Sequence, residues 1–346
     1  MSIVQILRAG LTRVGKTRRL VLFAWLVNVL ATAIVAIPML ALLEQSIGNT
    51  IMEERLLEKI ETNWFNTFQM DHQSSELVSR FDYTIFGHAP FLNHYELYLN
   101  GEVVRSVGSF LSDLIFRFSV STSSLDLLGI LALVYVLISS FLAGGFLGVY
   151  AREYALSFNE FLVEGARHFG KFFRLSLLSL IVYILLFDLV ILRISEGIAV
   201  QTAFEPSEMT PFLYYMARNV GVILVVGFVT LCFDFAKVRM VVEDRTSAFF
   251  GLVAGVRFVF RHVGSTVGLT VLLSFAGTVL IVLYSLVEGW IPQSGYWTIL
   301  LVFVLQQAYM IGRFWIRANF YASQTLLFKD REVAEHQVGR AAGAVG

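Results

Sequence analysis

The sequence predicts an all-α integral membrane protein with six transmembrane helices and a small, mostly helical insertion outside the membrane. Three observations carry this prediction. Over 346 residues the chain is 57% hydrophobic and only 15% charged, against about 25% charged in a soluble domain. The apolar residues gather into runs longer than 18 residues that are nearly free of charge, and roughly 20 helical residues cross the ~30 Å hydrocarbon core. The 26 basic and 26 acidic residues cancel overall but separate by segment. A soluble globular fold and disorder are therefore excluded. The lone Cys232 excludes a disulfide framework or a multi-Cys metal site.

Residues 1–19 open the chain. Ile3, Ile6, Leu7, Gly10, Leu11 and Val14 share one helical face, with Arg8 and Lys16 off it. Such a basic amphipathic helix lies in the inner-leaflet interface, its cations toward anionic headgroups. Residues 20–43 form the first span, 24 residues without a charge. That run exceeds the 7–15 apolar residues of a signal peptide, so it reads as a retained anchor. The further spans are 125–149, 172–193, 213–236, 263–287 and 296–316. Residues 150–171 and 237–262 are a second and third amphipathic helix, 194–212 and 288–295 are outer loops, and 317–346 is a tail. The segments 1–19, 150–174, 237–262 and the chain from Arg313 onward hold 19 of the 26 bases. By the positive-inside rule these lie on one side. Both termini are expected in the cytoplasm of a bacterial-type inner membrane.

Residues 44–124 are the extracytoplasmic insertion, with 11 acids and five bases. Met52, Leu56, Ile60, Trp64 and Phe68 form one helical stripe, and Val104, Val107, Leu111, Leu114, Ile115 and Phe118 a second. Between them, 94–104 reads as a hairpin turning at Asn100-Gly101. This small helical cap is expected to pack on the outer ends of the spans. His88, His94 and Glu96 cluster loosely here, but their spacing matches no metal-ligand pattern. Asp71 and Asp82 complete the only outward-facing candidates for chemistry. No nucleophile elbow, zinc-protease motif, P-loop or dinucleotide fingerprint occurs in a usable context. No metal, cofactor, catalytic residue or nucleic-acid partner is expected.

Three cytoplasmic segments share a pattern. Leu7, Gly10, Gly15 and Lys16 match Leu162, Gly165, Gly170 and Lys171. Leu252, Gly255 and Arg261 match three of these positions, with Phe260 in place of the second glycine. Arg19-Leu20 and Arg174-Leu175 extend the first match. Glu153 and Ser157 match Glu243 and Ser247 at the offset that relates the second and third segments. The implied unit is an interfacial helix, an outward span and an inward span, repeated three times. FLVEGARHFGKFFRL (161–175) and EDRTSAFFGLVAGVRFVFRH (243–262) resemble segments of the multi-pass membrane domain attached to some bacterial glycerophosphodiester phosphodiesterases and of its stand-alone relatives. The resemblance covers most of the spans and leaves out 44–124. It implies a membrane domain only. The phosphodiesterase activity belongs to a separate soluble barrel, so no catalytic residue carries over.

Ionisable groups within spans are candidate functional sites, because burying them in lipid is costly. Asp188, Arg193 and Arg218 fall at one level near the outer ends of the third and fourth spans. An ion pair is expected there. Asp234 lies near the inner end of the fourth span at the depth of Arg313 and Arg317, and is expected to pair with one of them. Gln306 and Gln307, mid-way along the sixth span, and Asn28 in the first are suited to hydrogen bonds between helices. Ser140, Gly144 and Gly148 form a small-residue ridge for packing. The function expected is a non-enzymatic accessory, scaffold or assembly subunit of a membrane complex, in contact with anionic inner-leaflet lipid and a protein partner. The alternative is a transporter or lipid-handling permease with a polar site between the third, fourth and sixth spans.

Overall fold

A computed structural model of the chain describes residues 1–48, 50–58, 62–75, 78, 99–101, 104–105, 107–110, 127–152, 157–292 and 294–343. All regular structure among these residues is helical. The helices are α1 (Ile3–Lys16), α2 (Arg18–Ile47), α3 (Ile51–Glu58), α4 (Thr62–Asp71), α5 (Leu127–Ala151), α6 (Phe158–Leu185), α7 (Leu192–Thr202), α8 (Met209–Val242), α9 (Ala248–Arg261), α10 (Val263–Trp290) and α11 (Tyr296–Gly343). A π-helical turn, Leu186–Ile191, joins α6 to α7, so 158–202 is one continuous rod. Six helices are long and apolar enough to cross a membrane: α2, α5, the α6–α7 rod, α8, α10 and α11.

Local sequence explains where the amphipathic helices begin. The Ser2 hydroxyl accepts from the Gln5 N–H and the Gln5 side chain accepts from the Ser2 N–H, starting α1. Ser157 and Glu160 form the same reciprocal cap on α6. Each pair satisfies two backbone donors that the first turn leaves open. A single non-helical residue then separates α1 from the first span and α9 from the fifth. Thr17 sits at φ −112, ψ 25 and His262 at φ −124, ψ 36. Phe172 holds the aligned position in the second unit, fully buried within an unbroken helix. The second amphipathic helix expected at 150–171 is therefore the first part of the third span. The tail expected from 317 likewise continues α11 to Gly343.

The end of the bundle at which the Met1 amino group meets Asp330 at 3.0 Å is its base. There the second, fourth and sixth spans (α5, α8, α11) pack on one another around Phe146, Tyr150, Phe235, Met240, Tyr321 and Leu327. Three amphipathic segments wedge between these spans. Gly10 of α1 lies against Ser323 of α11, and Arg13 donates to the Tyr150 carbonyl of α5 at 2.9 Å. Gly165 of α6 lies against Gly144 and Phe141 of α5, and Lys171 reaches Asp244, just past α8, at 2.7 Å. Gly255 of α9 lies against Ala236 of α8, and the Phe258 ring meets Phe328 of α11 at 4.9 Å.

The three aligned glycines thus make three equivalent close approaches. Glycine permits them because a side chain at any one would meet its neighbour. The contacts correct the grouping expected from sequence. Each wedge belongs with the inward span preceding it, and α1 closes the ring on the sixth span from the opposite end of the chain.

At the other, distal end, Phe68 of α4 and Val78 pack on Met39 of α2. Leu99 and Val104 pack on Phe187, Ile191 and Val222. Gly101 turns there with φ +75, and its Cα faces the Phe187 ring so closely that a Cβ would stand 2.4 Å from it. Most of the expected hairpin and second stripe, together with Asp82, His88, His94 and Glu96, lies outside the described residues.

Candidate functional site

A crevice of about 1090 Å³ opens beside the first span. Its walls come from α2, α5 and α6, and α11 contributes at the base. Val35, Met39, Leu131, Leu142, Phe172 and Leu180 represent a lining that is mostly apolar. Val104 and Val107 close it distally. Tyr135 and Leu40, 69% and 65% exposed, stand among the lining residues, so the crevice opens sideways toward the position of the lipid.

The floor is different. Arg317 of α11, Lys237 of α8 and Tyr321 line the basal end. Asp234, 5% exposed, lies behind them. Its carboxylate accepts from Arg317 at 3.3 and 3.5 Å and from Lys237 at 3.2 Å. Arg317 also donates to the Tyr321 hydroxyl at 3.1 Å and stands 4.8 Å over that ring. A carboxylate removed from water is costly unless paired and hydrogen-bonded. Here one acid serves two bases, which leaves the floor with one net positive charge. The Arg317 side chain stays 43% exposed while lining the crevice, so part of its guanidinium is presented to whatever fills the space.

Comparison with family models, with curated proteins and with solved structures finds no match.

The other polar residues singled out from sequence fall in several places. Arg313 lies 5.9 Å from the Tyr309 ring and reaches the Met310 sulfur at 3.8 Å, away from Asp234. Asp188 does not meet Arg193 or Arg218. It accepts from Arg105 at 2.7 Å. Arg193 pairs with Glu196 at 3.2 Å. Arg218 donates to Asn100 at 2.8 Å and to the Leu99 carbonyl at 3.3 Å. The expected ion pair is not formed: Arg105, Asn100 and Leu99 supply the partners of Asp188 and Arg218. Gln307 accepts from the Trp25 indole at 3.0 Å, joining the first and sixth spans. Gln306 hydrogen-bonds Tyr284 of the fifth. Asn28 lines the crevice. Ser140, Gly144 and Gly148 pack inside the chain. Ser140 meets Ser176 at 3.4 Å, and the two glycines face His168, Gly165 and Glu164.

Two features escaped sequence reasoning. Lys237, one turn beyond Asp234, went unnoticed as its second partner. Glu164, 4% exposed, lies on the buried face of α6. It pairs with Arg152 and takes the His168 ring at 3.2 Å. A carboxylate in register with Phe161, Gly165 and Phe172 is the signal that could have revealed it. Nearby, Asp244 lies outside the spans, just past α8; Lys171 holds its carboxyl below the usual carboxylate range by a hydrogen bond and its charge, and Arg167 adds to this at 2.9 Å. These pairs tie the spans together at the base. No group of three His, Cys, Asp or Glu side chains among the described residues is placed to hold a metal.

Proposed function

We propose that the chain is a polytopic protein of an inner, cytoplasmic membrane that holds or moves a membrane lipid without catalysing a reaction. Both termini are placed in the cytoplasm and residues 44–124 outside, on the strength of the basic residues of the basal segments. The side-opening apolar crevice carries the functional reading. Its volume of about 1090 Å³ matches the upper end of ligand pockets, ~300–1,000 Å³. Because the crevice is open along one side, whatever borders the chain there fills it. Water is a poor filler, because a water needs two to four polar partners and most of the wall offers none. Acyl chains, which border the opening, fill it without such a penalty.

The dimensions support this occupant. The crevice runs along α5 from Leu131 to Phe146, about 22 Å of helix, long enough to take in the ~15 Å of one leaflet's acyl chains. Native mass spectrometry after extraction in mild detergent tests the reading. The chain is expected to retain one lipid, and Ala132→Trp, which projects an indole into the crevice, is expected to release it. A wild-type chain recovered free of lipid under conditions that keep it folded would count against the reading.

One observation favours a second reading, that of an accessory or scaffold subunit. Phe249, Phe250 and Val253 of α9 are 61%, 65% and 51% exposed near the base, a face able to receive a partner helix. The same spectra examine this, since a stoichiometric protein partner would appear as added mass.

A further inference from the structure

We infer that the crevice selects a lipid with an anionic headgroup, bound at Arg317 and Lys237 with its chains extending into the apolar part of the crevice. This rests on the lipid-holding reading above and adds the identity of the head. Tails alone give little preference, because lipid hydrocarbon is as apolar as the wall and no hydrophobic driving force operates between them. Selection must come from the polar end.

Three observations define that end. First, its charge is unbalanced: Arg317 and Lys237 share the single carboxylate of Asp234. The surplus is one positive charge in an otherwise uncharged, mostly apolar space. Second, the surplus is presented to the occupant. Both cations line the crevice, whereas Asp234 does not. An incoming anion therefore meets donors first, and the carboxylate lies behind them. Third, the depth fits. Arg317 lies 21 residues along α11 from Tyr296, about 31 Å, which is one hydrocarbon thickness. With Tyr296 at the distal boundary of the hydrocarbon, the cations stand at the headgroup level of the basal leaflet. A lipid entering sideways from that leaflet would keep its headgroup at its own depth and its chains in the apolar upper part. A guanidinium and an ammonium suit a phosphate or carboxylate oxygen by charge-assisted hydrogen bonds. A zwitterionic head would carry its own cation toward the same donors and gain less.

The test uses the full chain in vesicles of phosphatidylcholine containing phosphatidylglycerol as a minor component. Extraction and native mass spectrometry then read the headgroup of the single retained lipid. The wild type is expected to be enriched in phosphatidylglycerol over the vesicle composition. Lys237→Gln removes the surplus charge while keeping the Arg317–Asp234 pair. It should lower the enrichment by about fivefold, the weight of one basic side chain at an anionic headgroup. Asp234→Asn raises the surplus to two and should increase it by a similar factor. A general loss of structure would lower retention in both variants, so opposite changes separate selection from misfolding. Retention of one lipid at the vesicle composition would overturn the headgroup inference and leave the lipid-holding reading intact. Retention of none by the folded wild type would remove both.

Discussion

Replacing Gly255 by alanine probes the wedge geometry with a single atom. A Cβ built there stands 2.7 Å from the Ala236 nitrogen, 2.8 Å from its Cα and 2.9 Å from the Cys232 carbonyl oxygen. All three atoms are backbone of α8, so no rotamer relieves the overlap and α9 must back away. Overpacking of this kind costs about 1–3 kcal/mol. Alanine in a helix also gains about 1 kcal/mol over glycine, which would mask part of the loss. Gly277→Ala in α10 supplies the reference, since nothing lies within 4 Å of its Cβ position. The propensity gain is common to both variants and cancels in their difference. Gly255→Ala should therefore be less stable than Gly277→Ala by about 1–3 kcal/mol, read by steric trapping or reversible unfolding in mixed micelles. Equal stability of the two variants would refute the close approach of α9 to α8.

Three further outcomes follow from the same contacts. At Gly10 the added Cβ would meet the Ser323 hydroxyl at 2.2 Å but only its Cβ at 3.3 Å; Gly10→Ala should destabilise the chain, and Ser323→Ala in the same chain should restore most of the loss, measured as a double-mutant cycle. Arg317→Met leaves the buried Asp234 with Lys237 alone and should cost roughly 3 kcal/mol, whereas Asp234→Asn with Arg317→Gln should cost less, because it is the uncompensated charge that destabilises. Lys171 and Arg167 depress the Asp244 carboxyl, so its contribution is present above the unfolded carboxyl value of about 3.9 and is lost as pH falls through the lower folded value; Asp244→Asn should flatten that acid limb in thermal scans.

How much of this was legible in the sequence depends on the range of the signal. Span lengths and the start of each wedge are local properties. Uncharged runs disclose the spans directly, and in the structure Ser2 with Gln5 and Ser157 with Glu160 mark the starts of the first two wedges. The continuity of the second wedge with its span is not legible because nothing in Gly170-Lys171-Phe172 distinguishes it from the other two junctions, yet Phe172 is drawn into the core rather than turning the chain as Thr17 and His262 do. Depth along a span is also legible, which is why Asp234 could be matched to the level of Arg317. Lateral placement is not. Asp188 and Arg218 take their partners from a segment about a hundred residues distant in the chain. The crevice is harder still. It arises where α2 stands off from α5 and α6, and the residues facing that gap are as apolar as those facing lipid. No periodicity distinguishes an inner apolar wall from an outer one.

The most direct test of the account is a density map of the full chain in lipid nanodiscs by electron cryo-microscopy. Elongated density is expected between α2, α5 and α6, rising from a headgroup beside Arg317 and Lys237 into the apolar part of the crevice. A first span packed flush against the second and third, with no density and no space between them, would contradict it.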